Sequence, residues 1–224
     1  MNRRIMAAVV AIVVVAAIAL LPLRLAVDRA GVPGLAARSV EGTIWRGHLV
    51  GAEWQGIALG DLDTTARMWP PTIAFTGPAI SGVATATGVE ALTGNIEQPG
   101  SLPFSKVRLD AVAIAFAGGG CTAASGRIAV VPSVMPMLGS LAGPLSCDGG
   151  TLRAALVPGA GATASPILGP LVDNARVDVA LAADRRYRVV LSVGGVPALA
   201  RALLLAAGFA DTPQGLAFAV EGRL

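Results

Sequence analysis

Phe104-Ser-Lys-Val-Arg-Leu-Asp-Ala-Val-Ala-Ile-Ala-Phe116 reads as a β-strand. Val107, Leu109, Ala111 and Ala113 alternate with Arg108, Asp110, Val112 and Ile114, and a period of two puts successive side chains on opposite faces of a sheet. The run stops on Gly118-Gly119-Gly120, a turn signal.

The same pattern recurs on both sides. In Ala175–Leu181 the residues Val177, Val179 and Leu181 face one way and Arg176 and Asp178 the other. Ala183-Asp184-Arg185 then turns the chain into Tyr187–Val193, which predicts a hairpin. Near the end, Leu216, Phe218 and Val220 alternate with small or charged residues. Earlier strands are predicted over Ser39–Trp45, Gly47–Trp54, Gly56–Arg67, Thr72–Thr76, Ile80–Thr87 and Glu90–Glu97. The 28 glycines and 15 prolines punctuate these runs. Helix is the minority. Pro197–Phe209 has Pro at its start, helix formers inside and Gly208 near its end. Its apolar residues surround the axis, which predicts a helix packed on the sheet. Val134–Leu141 suggests a short helical turn broken by Pro136. No linker divides the body, and a loose halving falls near Gly118–Gly120. The fold class is mainly β: an N-terminal transmembrane helix, then a β-rich domain of short antiparallel strands with one or two small helices.

Composition narrows the function. The 224 residues are 54% hydrophobic and 14% charged, with 17 Lys and Arg, 14 Asp and Glu, one His and two Cys. High hydrophobicity with low charge excludes a disordered chain, and a His/Cys metal cluster is hard to build from His48, Cys121 and Cys147 alone. The isoelectric point near 9.5 invites a nucleic-acid reading. The location of the charge argues against it. Arg3, Arg4, Arg24 and Arg29 flank the apolar N-terminus, whereas from Ala30 onward 13 basic residues meet 13 acidic ones. A neutral body without a basic run lacks the footprint of phosphate-backbone binding.

Ile5–Leu23 is a run of 19 uncharged residues. As a helix it would reach roughly 28 Å, close to the ~30 Å hydrocarbon core. Arg3 and Arg4 precede it, so the positive-inside rule keeps the short N-terminus cytoplasmic. The organisation is a cytoplasmic tail over 1–4, an anchor over 5–25 in membrane lipid, and a β-rich domain over 38–224 outside the cytoplasm. A cleaved signal peptide with Ala17-Ile18-Ala19 as its small-residue site is the competing reading. It delivers the body to the same compartment. There the two cysteines, 26 positions apart, would close a loop worth roughly 3–4 kcal/mol if bridged. The alternative is a pair of separate buried thiols.

Several residues invite a sharper reading and support a plainer one. Trp45 and Trp54 could anchor a partner, but as neighbours on adjacent strands they are expected to pack over one sheet edge. Gly42 and Gly47 bracket a strand and suit a turn or bulge. No carboxylate stands at a recognised spacing from His48, which reads as a surface or strand histidine. Asp61 and Asp63 share a strand face and could bind Ca²⁺, yet a solvated face accounts for them. Arg185, Arg186 and Arg188 form a charged turn that suits solubility. No catalytic, cofactor or metal residue is assigned.

Three stretches are more distinctive: Val40-Glu41-Gly42-Thr43-Ile44-Trp45-Arg46-Gly47; Gly56-Ile57-Ala58-Leu59-Gly60-Asp61-Leu62, running on to Trp69-Pro70-Pro71; and Leu145-Ser146-Cys147-Asp148-Gly149-Gly150-Thr151-Leu152. Cys121 and Ala124-Ser125-Gly126-Arg127-Ile128 precede the last. An anchor, then a G-T-I-W-R-G turn and a G-x-x-L-G-D strand, resembles general secretion pathway protein N, the small N component of bacterial type II secretion systems. The paired cysteines also resemble that family, and the resemblance runs from the anchor to about Leu152. It implies a single-pass inner-membrane protein with a periplasmic body, whose partners are other secretion components. Gly42, Thr43, Trp45, Gly47, Gly60 and Asp61 would be structural motif residues and Cys121–Cys147 a staple. The G-T-x-W-x-G element is also similar to elements of AsmA-type envelope proteins, which would imply lipid binding.

Overall fold

The computed structural model describes residues 20–25, 35–54, 56–97, 103–133, 139–159, 174–182, 184 and 186–223. The chain is mainly β and forms two compact units, Met1–Ala86 and Thr87–Leu224. The division does not fall at Gly118–Gly120. Those glycines instead close a hairpin inside the second unit, where Ala117 pairs with Gly120.

In the first unit, β1 (Leu35–Ala36) and β2 (Ser39–Thr43) both pair with β3 (Arg46–Trp54). Antiparallel pairing continues to β4 (Ile57–Arg67), β5 (Thr72–Thr76) and β6 (Ile80–Thr85). Each connection is a hairpin, because the Gly- and Pro-rich joints are too short for a crossover. In β4 the buried residues are Ile57 and Leu59, then Leu62 and Thr64. The period of two breaks once between Leu59 and Leu62. There the register with β3 shifts, and Gly60 takes a φ of +79°. One extra residue flips the side-chain parity, as a β-bulge does.

The second unit is a longer antiparallel meander. It runs through β7 (Gly88–Glu97), β8 (Phe104–Ala117), β9 (Gly120–Pro132), β10 (Leu141–Asp148), β11 (Thr151–Pro158), β12 (Ala175–Leu181) and β13 (Arg186–Val193). The helix α1 (Ala198–Ala206) and the short β14 (Ala210–Thr212) follow, and β15 (Gly215–Arg223) lies between β13 and β14. Its core comes from the inward residues of several strands. Val112, Val130, Leu141, Leu156, Val177, Val193 and Leu216 are all almost completely buried.

The structure corrects four expectations. Alternation in β8 does not hold through Ala111: Val107 is buried, yet so is Val112, from the opposite parity. Ala111 has a φ of +47°, and the register against both β7 and β9 shifts beside it. Leu141 opens β10 and does not close a helix, while 134–138 lie outside the described residues. Helix α1 touches β15, and beyond the helix the Phe209 and Phe218 rings stand 5.4 Å apart. None of its described side chains is buried: Leu203 and Leu205 are exposed and Leu204 is half-buried, so the helix rides on the surface rather than packing on the sheet. β1, β9, β10, β11 and β14 fall outside the strands expected from the sequence. Ala-rich, Gly- and Pro-interrupted runs give little alternation to read.

The expected membrane span over 5–25 lies outside the described residues except for Leu20–Leu25. Among the described residues no helix is long and apolar enough to cross a membrane.

Candidate functional site: the glycine-flanked hairpin and the segment it holds

The G-T-I-W-R-G motif forms the tip of the β2–β3 hairpin. Gly42 pairs with Gly47 and Thr43 with Arg46, leaving Ile44 and Trp45 as the turn. The Arg46 N–H donates to Thr43 Oγ1 at 3.4 Å. Gly42 has a φ of +84°, a backbone conformation that a side chain disfavours.

This tip receives another part of the chain. The Ile44 N–H donates to the Leu21 carbonyl at 3.0 Å, and Pro22 bridges to Thr43. Leu23 is 93% buried, its relative exposure being 7%. It lies directly on Gly47: a Cβ there would overlap Leu23 Cδ2 and come within 2.9 Å of Thr64 Oγ1. Gly47 therefore serves close approach rather than an unusual backbone angle. The motif that carries the resemblance is the seat for the end of the apolar N-terminal run.

Gly47→Ala is expected to displace Leu23 at a cost of about 1–3 kcal/mol, the usual range for overpacking. Trypsin provides the readout, because Arg24 is exposed next to the seat. Faster cleavage after Arg24 is expected in the variant, and an unchanged cleavage rate would contradict the seat.

The second motif locks the other half of the β3–β4 pair. Its bulge at Gly60 faces one in β3, where the register shifts between Leu49 and Ala52. Asp61 Oδ1 accepts the Gly51 N–H at 2.8 Å, tying the two irregularities together. Asp63, two residues on, is 2.8 Å from His48 Nδ1. Sequence spacing missed this pair because the residues are 15 apart, and only the register brings His48 opposite Asp63. The hydrogen bond to Asp63 holds the His48 pKa above the usual imidazole value, with added attraction from Asp63, Asp61 and Glu41 outweighing desolvation.

A folded-state pKa raised in this way contributes stability that is fully present below about 6.5 and is lost as pH rises through the folded value. The chain has one histidine, so an NMR titration of its ring protons reads the shift directly. Asp63→Asn should return the midpoint toward the ordinary value; the same midpoint in both proteins would contradict the pairing.

The tryptophans do not cover one edge. Trp45 sits half-buried in the turn before β3, and Trp54 ends that strand, partly exposed. The nine strand residues of β3 place them up to about 30 Å apart. The arginine turn is also resolved into pairs: Arg186 Nε donates to Asp184 Oδ2 at 2.5 Å, and Arg188 Nε lies 3.3 Å from Glu221. Ala183 and Arg185 lie outside the described residues.

In the second unit Cys121 and Cys147 are joined in a disulfide with Cα atoms 5.6 Å apart. An apolar cleft lies between the start of β8 and the β12, β13 and β15 strands, lined by Phe104, Val177, Val189, Leu191 and Phe218 among others. Among the described residues, no three His, Cys, Asp or Glu side chains gather closely enough to hold a metal ion. Compared with family models, curated proteins and solved structures, the chain matches none.

Proposed function

We propose that this protein is a non-catalytic, single-pass inner-membrane component of a bacterial type II secretion system, acting through protein–protein contacts in the periplasm. The observation that carries the reading is the seating of Leu21–Leu23 on the Gly42–Gly47 hairpin. It ties the end of the apolar run directly to the first sheet, as suits a component that must hold its partners at a fixed height above a membrane. The G-T-I-W-R-G stretch that resembles the secretion family builds this connection, while the G-I-A-L-G-D stretch fixes the far half of the β3–β4 pair. Exposed Leu203 and Leu205 on α1 supply apolar surface for a partner. Deleting the gene in its host and assaying a secreted enzyme tests the reading. Activity trapped in the periplasm and restored by the wild-type gene is expected; normal secretion would overturn it.

One other reading, a lipid-handling envelope protein of the AsmA type, draws no support from the apolar cleft of the second unit, whose lining Val177, Val189 and Leu191 are core side chains around a space too small for an acyl chain. Mass spectrometry of lipid retained by the purified protein distinguishes them. Stoichiometric lipid retained by the purified protein would favour lipid handling.

A further inference from the structure

We propose that one end of the first unit is a membrane-docking surface, with Trp69 set into the lipid headgroup layer. The inference rests on the anchor reading above and adds a second, reversible contact with the same bilayer.

The register places the surface. Gly47 pairs with Thr64 and Arg67 with Thr72, so the β2–β3 tip and the β4–β5 turn project from the same end of the sheet. Leu21–Leu23 reach the sheet at that tip. The β4–β5 turn carries Met68 and Trp69, 67% and 92% exposed. Leu20 and Leu25 are also exposed beside the seat, whereas Trp54 is at the far end. A large exposed apolar cluster at one end of a sheet marks an interaction surface. The described charges of this end, Arg24, Arg46 and Arg67, are all positive. The nearest carboxylates, Glu41 and Asp63, flank His48 one register position behind the Gly42–Gly47 pair, and Asp61 and Glu53 lie farther along the sheet. Tryptophan beside arginine is the pairing favoured where a protein meets anionic headgroups.

Length supports the same occupant. Ile5–Leu23 matches a bilayer only when all 19 residues are free to span it. With Leu21–Leu23 held on the hairpin, Ile5–Leu20 would reach about 24 Å as a helix, short of the ~30 Å hydrocarbon core. A tip drawn down to the membrane surface makes up the difference, and its outermost residues are the exposed apolar ones.

The test uses the full chain with Trp45 and Trp54 replaced by phenylalanine, leaving Trp69 as the sole tryptophan. It is reconstituted in phosphatidylethanolamine and phosphatidylglycerol vesicles containing phosphatidylcholine brominated near the headgroup end of its acyl chain. Loss of Trp69 emission to the brominated lipid is expected, while a chain keeping only Trp54 stays unquenched. If the double replacement unfolds the unit, the difference between the native chain and Trp69→Ser reads the same signal. A chain that survives an alkaline carbonate wash but shows no Trp69 quenching overturns the docking surface alone. A chain that the wash strips from the vesicles overturns the anchor and the docking together.

Discussion

Replacing Cys147 with serine is expected to lower the unfolding free energy of the second unit by about 3.5 kcal/mol, the loop-closure value for a separation of 26 residues. The structure explains why a staple belongs at this position. β9 and β10 pair only from Arg127 to Val130 against Leu141 to Pro144. Pro144 has no N–H to continue the ladder, and beyond it the two strands proceed without main-chain pairing to each other. The disulfide joins them where the ladder has ended, assisted by the Cys121 N–H donating to the Gly150 carbonyl at 2.9 Å. Denaturant unfolding of the oxidised protein and the variant checks this, with reductant expected to abolish the difference. Equal midpoints under oxidising conditions would contradict it.

Gly126→Ala is expected to cost about 2–5 kcal/mol, combining overpacking with left-handed backbone strain. Gly126 has a φ of +95°, and a Cβ there would lie 2.5 Å from the Ala111 carbonyl oxygen and 2.6 Å from Val112 Cα. Both obstacles are backbone, so neither can rotate aside. Ala111 itself is in the left-handed region at +47°. Ala111→Gly should therefore raise stability, by up to about 1 kcal/mol. Denaturation midpoints moving in opposite directions for the two variants would support the bulge. Matching midpoints for Gly126→Ala and the parent would contradict it.

These two sites also mark where the sequence could and could not be read. Strands with charged outer faces, such as Ala175–Leu181, announce themselves, because Arg176 and Asp178 alternate with valine. Thr72–Thr76 is likewise bounded by Pro71 and Gly77. β9 carries small residues and valine on both parities, so alternation gives little signal there; β10 does alternate, with Leu141, Gly143 and Leu145 buried, but Gly143 and Pro144 break the apolar pattern that marks a strand. The β8 bulge was hidden for a related reason. Alanine, valine and isoleucine are apolar on either parity, and nothing in Asp110-Ala111-Val112-Ala113 shows that one residue is extra. For the candidate site, the hairpin glycines were legible as turn residues. Their purpose was not, since Leu23 is 24 positions from Gly47 and no local pattern links them. The His48–Asp63 pair depends on register in the same way.

The proposed account gives the chain a fixed order: cytoplasmic tail, membrane anchor, hairpin seat, then two antiparallel units outside the cytoplasm. In this account the Leu21–Leu23 seat would make the hairpin the first folded element beyond the bilayer, and the docking surface would hold it against the lipid. Secretion contacts would then be made by surfaces farther along the chain, with exposed Leu203 and Leu205 as one candidate.

Protease protection tests that order most directly. The chain would be expressed with a tag ahead of Arg3, and protease added to intact cells, to spheroplasts and to lysed spheroplasts. The account predicts that the body is untouched in intact cells and degraded in spheroplasts, while the tag on its short membrane stub survives until lysis. A body that resists protease in spheroplasts and is cleaved only after lysis would place it in the cytoplasm and contradict the account.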